Sequence, residues 1–397
     1  MDIPSNIISS GLYSRLLEDT ELMGLLRSLR EVVAALAETT GRSVPHFTDH
    51  TIRHMDALWT VADQVLTPAE ISALTPGEAF LLLCGFYLHD IGMAYAATEE
   101  GLERLKDSAP YKSFIAALPE SQRTEPKCQA QAVAVAVRQL HANAGKQLAT
   151  NEIPGSAGRY LFEALSTRQL WGSTCGDIAA SHHLSLAKLE ADFGPHGVAP
   201  LPGGRRADLL YVCACLRIID YAHINRERAS SLDRAFRGQL NVDSLVHWLA
   251  QEHVDGPVRD RDELIYRAAN PIANVDAWWL YYEMLSGLDA EIRAVRRMLD
   301  QRRDDQKTIS LSGVRGAASP ELTARLIPTS GFLPIEVNLR TGSIDRLVEL
   351  LAGETLYGPN PMAAVRELVQ NARDAALFHR VGRLRKLRTC WPWRSAP

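Results

Sequence analysis

Twelve histidines are spread through a chain of 397 residues, and several stand where polar side chains are least expected. The run AFLLLCGFYLHDIGM sets His89 and Asp90 side by side at the end of an apolar stretch. TDHTIRHMDAL holds His50 and His54, four apart and so on one face of a helix. VRQLHANAG holds Arg138 and His141, IAASHHLSLAKL holds His182 and His183, and LRIIDYAHINR holds Asp220 and His223. A carboxylate or imidazole in an apolar stripe is costly without a compensating partner. A divalent ion compensates both, because it neutralises carboxylates and accepts the lone pairs of neutral imidazoles. Nitrogen and oxygen ligands without thiolate suit Mn, Fe, Ni or Mg better than a closed structural zinc site. Such an ion lowers the pKa of a bound water, which is the basis of metal-assisted hydrolysis. Neighbouring helical residues point about 100° apart. His89 and Asp90 can therefore share an ion only along the flank between them, and further ligands must come from other helices.

Those side chains need elements to hold them. Leu16, Leu17, Leu22, Leu25, Leu26, Leu29, Val32, Val33 and Leu36 recur at helical spacing and predict a helix over 12–39. Gly41 and Pro45 break it. A second helix is expected from about residue 49, with Leu58, Val61, Ala62 and Val65 on one stripe and Pro68 at its end. A third is expected over 76–95, with proline in its first turn. Further helices are expected over 126–148, 156–170, 174–191, 207–226, 242–252 and 273–303. Period-2 alternation is scarce up to residue 303, so this part reads as all-α. TISLSGV and PIEVNLRTG then alternate and read as strands, GFLP, RTGS and YGPNP supply turns, and a last helix is expected near Pro361.

The chain is too long for one ordinary core, so two domains are expected. Its 46% hydrophobic and 23% charged residues are those of a globular protein, and a net charge of −4 demands no polyanionic partner. Cys84, Cys128, Cys175, Cys213, Cys215 and Cys390 form no CxxC pair and read as reduced core residues of a cytoplasmic protein. No signal-peptide pattern is seen, and the longest apolar run, interrupted by the His-Asp pair, reads as too short to span a bilayer. No membrane partner is expected, and composition leaves oligomerisation open.

The ordered set H…HD…H…HH…D in helical contexts resembles the HD superfamily of metal-dependent phosphohydrolases over roughly residues 46 to 230. The resemblance implies an HD-type helical bundle. It makes His54 the first ligand, with His50 as its rival, His89 and Asp90 the name-giving doublet, and Asp220 the last ligand. His141, His182 and His183 resemble the additional ligands of dinuclear members such as the HD-GYP phosphodiesterases, in which case Asp90 would bridge two ions. One of the two adjacent histidines could instead serve from behind the ligand shell. The chain has no GYP tripeptide, so the cyclic-dinucleotide specificity of that branch does not carry over. The chemistry implied is attack of metal-activated water on phosphorus, with Arg53, Arg138 and Lys188, all close in sequence to the ligands, as candidate phosphate-binding cations.

A second resemblance lies near the end. In LYGPNPMAAVRELVQNARDA, Glu367, Asn371 and Asp374 follow the spacing E-x3-N-x2-D. The segment resembles the N box of the GHKL ATPases and is most similar to the heat-shock-chaperone branch. By that resemblance Glu367 is the general base and Asn371 the Mg²⁺ ligand of a nucleotide site, with Asp374 on the same helix. Only about twenty residues follow Ala375, and they hold neither the adenine-binding nor the lid motif of that fold. ATP hydrolysis by this chain alone is therefore not expected, and Mg-ATP belongs to a complete relative.

The expected fold class is mainly α, an HD-type bundle followed by a short α+β segment. The expected divisions are an N-terminal helical segment over 1–45, the HD-type domain over 46–303, and a partial ATPase-like segment with a basic tail over 304–397. The function expected is a metal-dependent phosphohydrolase of a nucleotide-type substrate, using one or two divalent ions. The alternatives are a non-catalytic ligand-sensing module that regulates an ATPase, and a metal-dependent nuclease.

Overall fold

A computed structural model describes residues 4–43, 49–194, 197–229, 242–302, 307–336 and 369–370. Residues 1–335 make one compact unit and 336–397 a second. The sequence-based divisions at residues 45 and 303 both fall inside the first unit. Glu367, Asn371 and Asp374, with most of the segment expected over 304–397, lie outside the described residues.

The first unit is mainly helical, and nine helices carry the argument: α1 (Thr20–Ser43), α2 (Ile52–Val65), α3 (Pro76–Leu88), α4 (Pro126–Leu148), α5 (Ser173–Ala180), α6 (Leu186–Phe193), α7 (Leu209–Ala222), α8 (Val242–Glu252) and α9 (Val275–Asp300). Helix α3 is the axis of the core. Twelve of its thirteen residues are buried, as expected of a helix that is apolar all round. Thr75 and Glu78 close a capping box at its start, with Pro76 in the first turn. Helices α1, α5 and α7 pack around it, and α4 and α2 pack on α5 and α7 in turn. By length and composition alone, Pro76–Ala97 could cross a membrane, which corrects the expectation that the run is too short. The structure instead buries 94% of that window inside the fold.

Several helix limits differ from the sequence expectation. The helix expected over 12–39 is two, Gly11–Leu16 and α1, because Asp19 accepts a hydrogen bond from Leu22 N (3.2 Å) and starts a new helix. The helix expected to reach residue 95 stops at Leu88 and gives way to a 3-10 segment, Ile91–Ala97. Residues 156–164 are not helical, since Gly155, Ala157 and Gly158 all have positive φ. The helix expected over 174–191 breaks at Ser181–His183, and Ser185 caps α6.

The all-α expectation also fails. Strands β1 (Val198–Pro200) and β2 (Arg206–Asp208) form a short antiparallel pair, and β3 (Val254–Asp260), β4 (Glu263–Ala268) and β5 (Gly313–Val314) form a three-stranded sheet in that order. A bulge between Asp255 and Val258 shifts the register of β3 and hides its alternation. Of TISLSGV only the last two residues pair, parallel to β4, while Ile309 and Leu311 are buried beside them. Within PIEVNLRTG, residues 334–336 do not form a strand and the rest lies outside the described residues.

A polar clasp closes the far end of the bundle. Arg302 holds both oxygens of Asp208 (2.9 and 2.7 Å), Asp208 N donates to Glu78 Oε1 (2.9 Å), and Lys307 Nζ pairs with Glu78 Oε2. Asp208 is the N-cap of α7 and Glu78 lies in the first turn of α3, so Arg302 and Lys307 tie the starts of two core helices together.

Candidate metal centre

The end of α3 solves the geometric problem posed by adjacent ligands. His89 is the C-cap of α3, and the chain turns at Asp90 (φ −100°, ψ −6°) into the 3-10 segment. The turn brings His89 Nε2 to 3.1 Å from Asp90 Oδ2. Gly92 lets the segment press on α4, since a Cβ there would lie 2.0 Å from the His141 carbonyl oxygen.

Two ligand groups result. In the first, His54 of α2, His89, and Asp220 of α7 converge. His54 Nε2 is 3.2 Å from His89 Nε2, and Asp220 Oδ1 is 3.4 and 3.3 Å from these two nitrogens. In the second, His141 of α4 meets His182 and His183 from the turn after α5, with one ligand atom of each within 4.8 Å of the others. His141 Nε2 lies 3.2 Å from His182 Nε2. Asp90 stands between the groups, with Oδ2 toward His89 and Oδ1 3.4 Å from His141 Nε2.

The donor chemistry fits a cation. His89 Nδ1 is 3.0 Å from the Phe86 carbonyl, His141 Nδ1 is 3.1 Å from that of Arg138, and His182 Nδ1 is 2.6 Å from that of Ala179. A proton on each Nδ1 donates to the backbone and leaves a lone pair on Nε2. With His54 also protonated on Nδ1, lone pairs would face each other across 3.2 Å in both groups, an arrangement that a cation satisfies. Asp220 Oδ1, although close to two imidazoles, is a buried acceptor with no hydrogen bond. Burial pushes the His89 imidazole down, but the Asp90 and Asp220 carboxylates outweigh it and hold its pKa well above the usual 6.5. Burial would raise Asp90, but His89 and His50 hold it well below the carboxylate range. Burial, then the neighbouring His89 and His141, push His182 down to about 3, which keeps it neutral as a ligand must be.

All seven ligands expected from sequence come to this place. Of the two rivals at the first position, His54 lies within the cluster. His50 sits at its edge, 3.8 Å from Asp90 Oδ2 and 3.2 Å from Arg228 Nη2. The expected cations lie differently. Arg53 is exposed and pairs with Asp49 (3.1 Å), Lys188 is exposed and pairs with Asp192 (2.5 Å), and Arg138 is exposed on α4. The arginine at the carboxylates is Arg228, 3.8 Å from both Asp90 Oδ2 and Asp220 Oδ1. No local pattern singles it out in the sequence. Arg217 also went unnoticed. Its Nη1 donates to the carbonyls of Ser181, His182 and Leu184 (3.0, 3.1 and 2.6 Å), while Glu291 of α9 accepts from its Nε (2.8 Å). It therefore holds the turn that presents His182 and His183. His223, visible in sequence as a histidine three residues after Asp220, reaches His54 Nδ1 with its own Nδ1 (2.8 Å).

Bundle and cluster together define a helical HD-type domain whose histidines and aspartates suit a divalent metal, an arrangement compatible with a hydrolase. The family model HD-CE matches residues 44–294, more than half of the chain, and the protein belongs to the HD-CE family. No curated protein and no solved structure matches it.

Proposed function

We propose that the protein is a metal-dependent phosphohydrolase acting on a phosphomonoester or phosphodiester of nucleotide type. The observation that carries this reading is Asp90, whose two carboxylate oxygens face two separate ligand groups. His54, His89, Asp90 and Asp220 would hold one ion, and His141, His182, His183 and Asp90 a second. Ions there supply water activated at neutral pH and neutralise phosphate charge. The chain's own residues do the rest. The backbone carbonyls of Phe86, Arg138 and Ala179 fix the three imidazole tautomers, and His223 fixes that of His54. Arg228 spans the two carboxylates, and its guanidinium would donate to a phosphate oxygen held by the ions. The setting we take as cytoplasmic, from the cysteine usage. A link to a chaperone-like ATPase rests on the N-box resemblance alone.

Metal analysis of the purified chain, followed by a phosphate-release screen of nucleotides with Mn²⁺, Mg²⁺ or Ni²⁺, tests the reading. Near-stoichiometric metal and release that Asp90→Asn abolishes are expected. Ligand binding without release in every metal would favour a sensing module instead, and steeply salt-dependent cleavage of long nucleic acid would favour a nuclease.

A further inference from the structure

A cavity of about 440 Å³ opens beside the cluster, with His182, His183 and Asp220 in its wall. That volume is within the range of small-molecule sites. Away from the ligands, Tyr221, Ile224 and Met284 line it with apolar and aromatic surface. Arg217 also borders it, but Glu291 and three carbonyls engage its guanidinium. Besides Asp220, two lining residues keep unused hydrogen-bonding capacity. One is Arg228, through Nε. The other is Gln251 of α8, only 4% exposed, whose buried Oε1 has no hydrogen-bond partner.

A buried amide oxygen left unpaired is unfavourable, and a ligand N–H is the group that would satisfy it. Gln251 is neutral and stands apart from the phosphate chemistry of Arg228 and the ion ligands. The cavity thus combines a phosphate end, an apolar and aromatic lining and a buried acceptor. We propose that it seats the nucleoside part of the substrate and that the Gln251 carboxamide reads the exocyclic amino edge of the base. Gln251 is then a specificity-determining residue, an assignment that rests on the phosphohydrolase reading for the position of the phosphate. A carboxamide is well matched to a base edge of this kind, as in the pairing of glutamine with adenine.

The test is calorimetric binding of AMP, CMP and GMP, each against its counterpart lacking the amino group, to the full chain with Mg²⁺ present. Phosphate release is followed in the same samples. The wild type should bind at least one amino-bearing member about tenfold to hundredfold more tightly than its counterpart. Gln251→Met should close that gap by weakening the amino-bearing member alone, with its fold checked by circular dichroism. If no pair is distinguished by the wild type, or the gap survives in Gln251→Met, the assignment is overturned. The wild-type comparison needs no variant, so a misfolded Gln251→Met does not rescue the idea. A clear gap here, with no phosphate release from any nucleotide in the Mn²⁺, Mg²⁺ and Ni²⁺ screen, would leave Gln251 as the reader of a bound nucleotide and sink the hydrolase reading instead. Release from non-nucleotide esters with no nucleotide bound would do the reverse.

Discussion

The rings of His54 and His223 lie parallel, with an interplanar angle of 1° and their Nδ1 atoms 2.8 Å apart. One Nδ1 must donate and the other accept. If His54 donates, its Nε2 lone pair points toward His89 and Asp220. His223 therefore sets the tautomer of a ligand from behind it. His223→Ala should lower metal affinity by about 10- to 100-fold, measured by metal titration. His223→Asn, which can still offer an acceptor, should recover part of the loss. Equal affinity in all three proteins would remove His223 from the site.

Gly92 allows the closest approach in the neighbourhood. A methyl group at this position meets the backbone of His141 at 2.0 Å and Gly145 N at 2.6 Å, and backbone cannot step aside as a flexible side chain can. Gly92→Ala should cost about 3 kcal/mol in chemical denaturation. It should also push Asp90 and His141 apart and reduce metal stoichiometry. An unchanged stoichiometry would mean that the second ligand group does not depend on this contact.

Arg217 and Glu291 hold the turn of His182 and His183 from below. Arg217→Ala removes three carbonyl contacts and a largely buried ion pair, a loss of about 3 kcal/mol. Bound metal should fall from two ions per chain toward one, read by elemental analysis, because His54, His89 and Asp220 do not depend on that turn. Arg217→Lys should resemble alanine more than wild type, since a single ammonium cannot reproduce the planar fork.

Metal uptake should expel a proton. In the metal-free chain Asp90 and Asp220 outweigh burial and raise the His89 pKa well above its ordinary value, which favours the protonated imidazole. The ion needs the neutral imidazole, so affinity should weaken as pH falls below that raised value and strengthen above it. Calorimetric enthalpies at pH 7 should change with the ionisation enthalpy of the buffer. Buffer-independent enthalpies would show that His89 is already neutral.

The types of the site residues were legible because each sits in an apolar stripe, where a polar side chain needs a reason. His54, His89, Asp90 and Asp220 stand out in this way from the sequence alone. Their convergence was not legible in detail, because it depends on a helix that stops at Leu88, and that stop depends on Gly92 meeting α4 fifty residues later in the chain. Closeness in sequence pointed to Lys188 as a cation, but its helix turns it outward to Asp192. Arg228 gave no signal, since nothing local distinguishes it from any surface arginine. The long helices α4 and α9 match the helices expected over 126–148 and 273–303. Strand β3 was not expected, because its bulge breaks the two-residue rhythm that strand recognition relies on.

The clasp formed by Arg302 and Lys307 makes a mechanical linkage. It grips Asp208 and Glu78, at the starts of the two rods whose other ends carry Asp220 and the His89–Asp90 pair. A thirteen-residue rod is about 20 Å long. Arg302 and Lys307 therefore fasten the starts of both rods into one ion-pair network at the end away from the imidazoles.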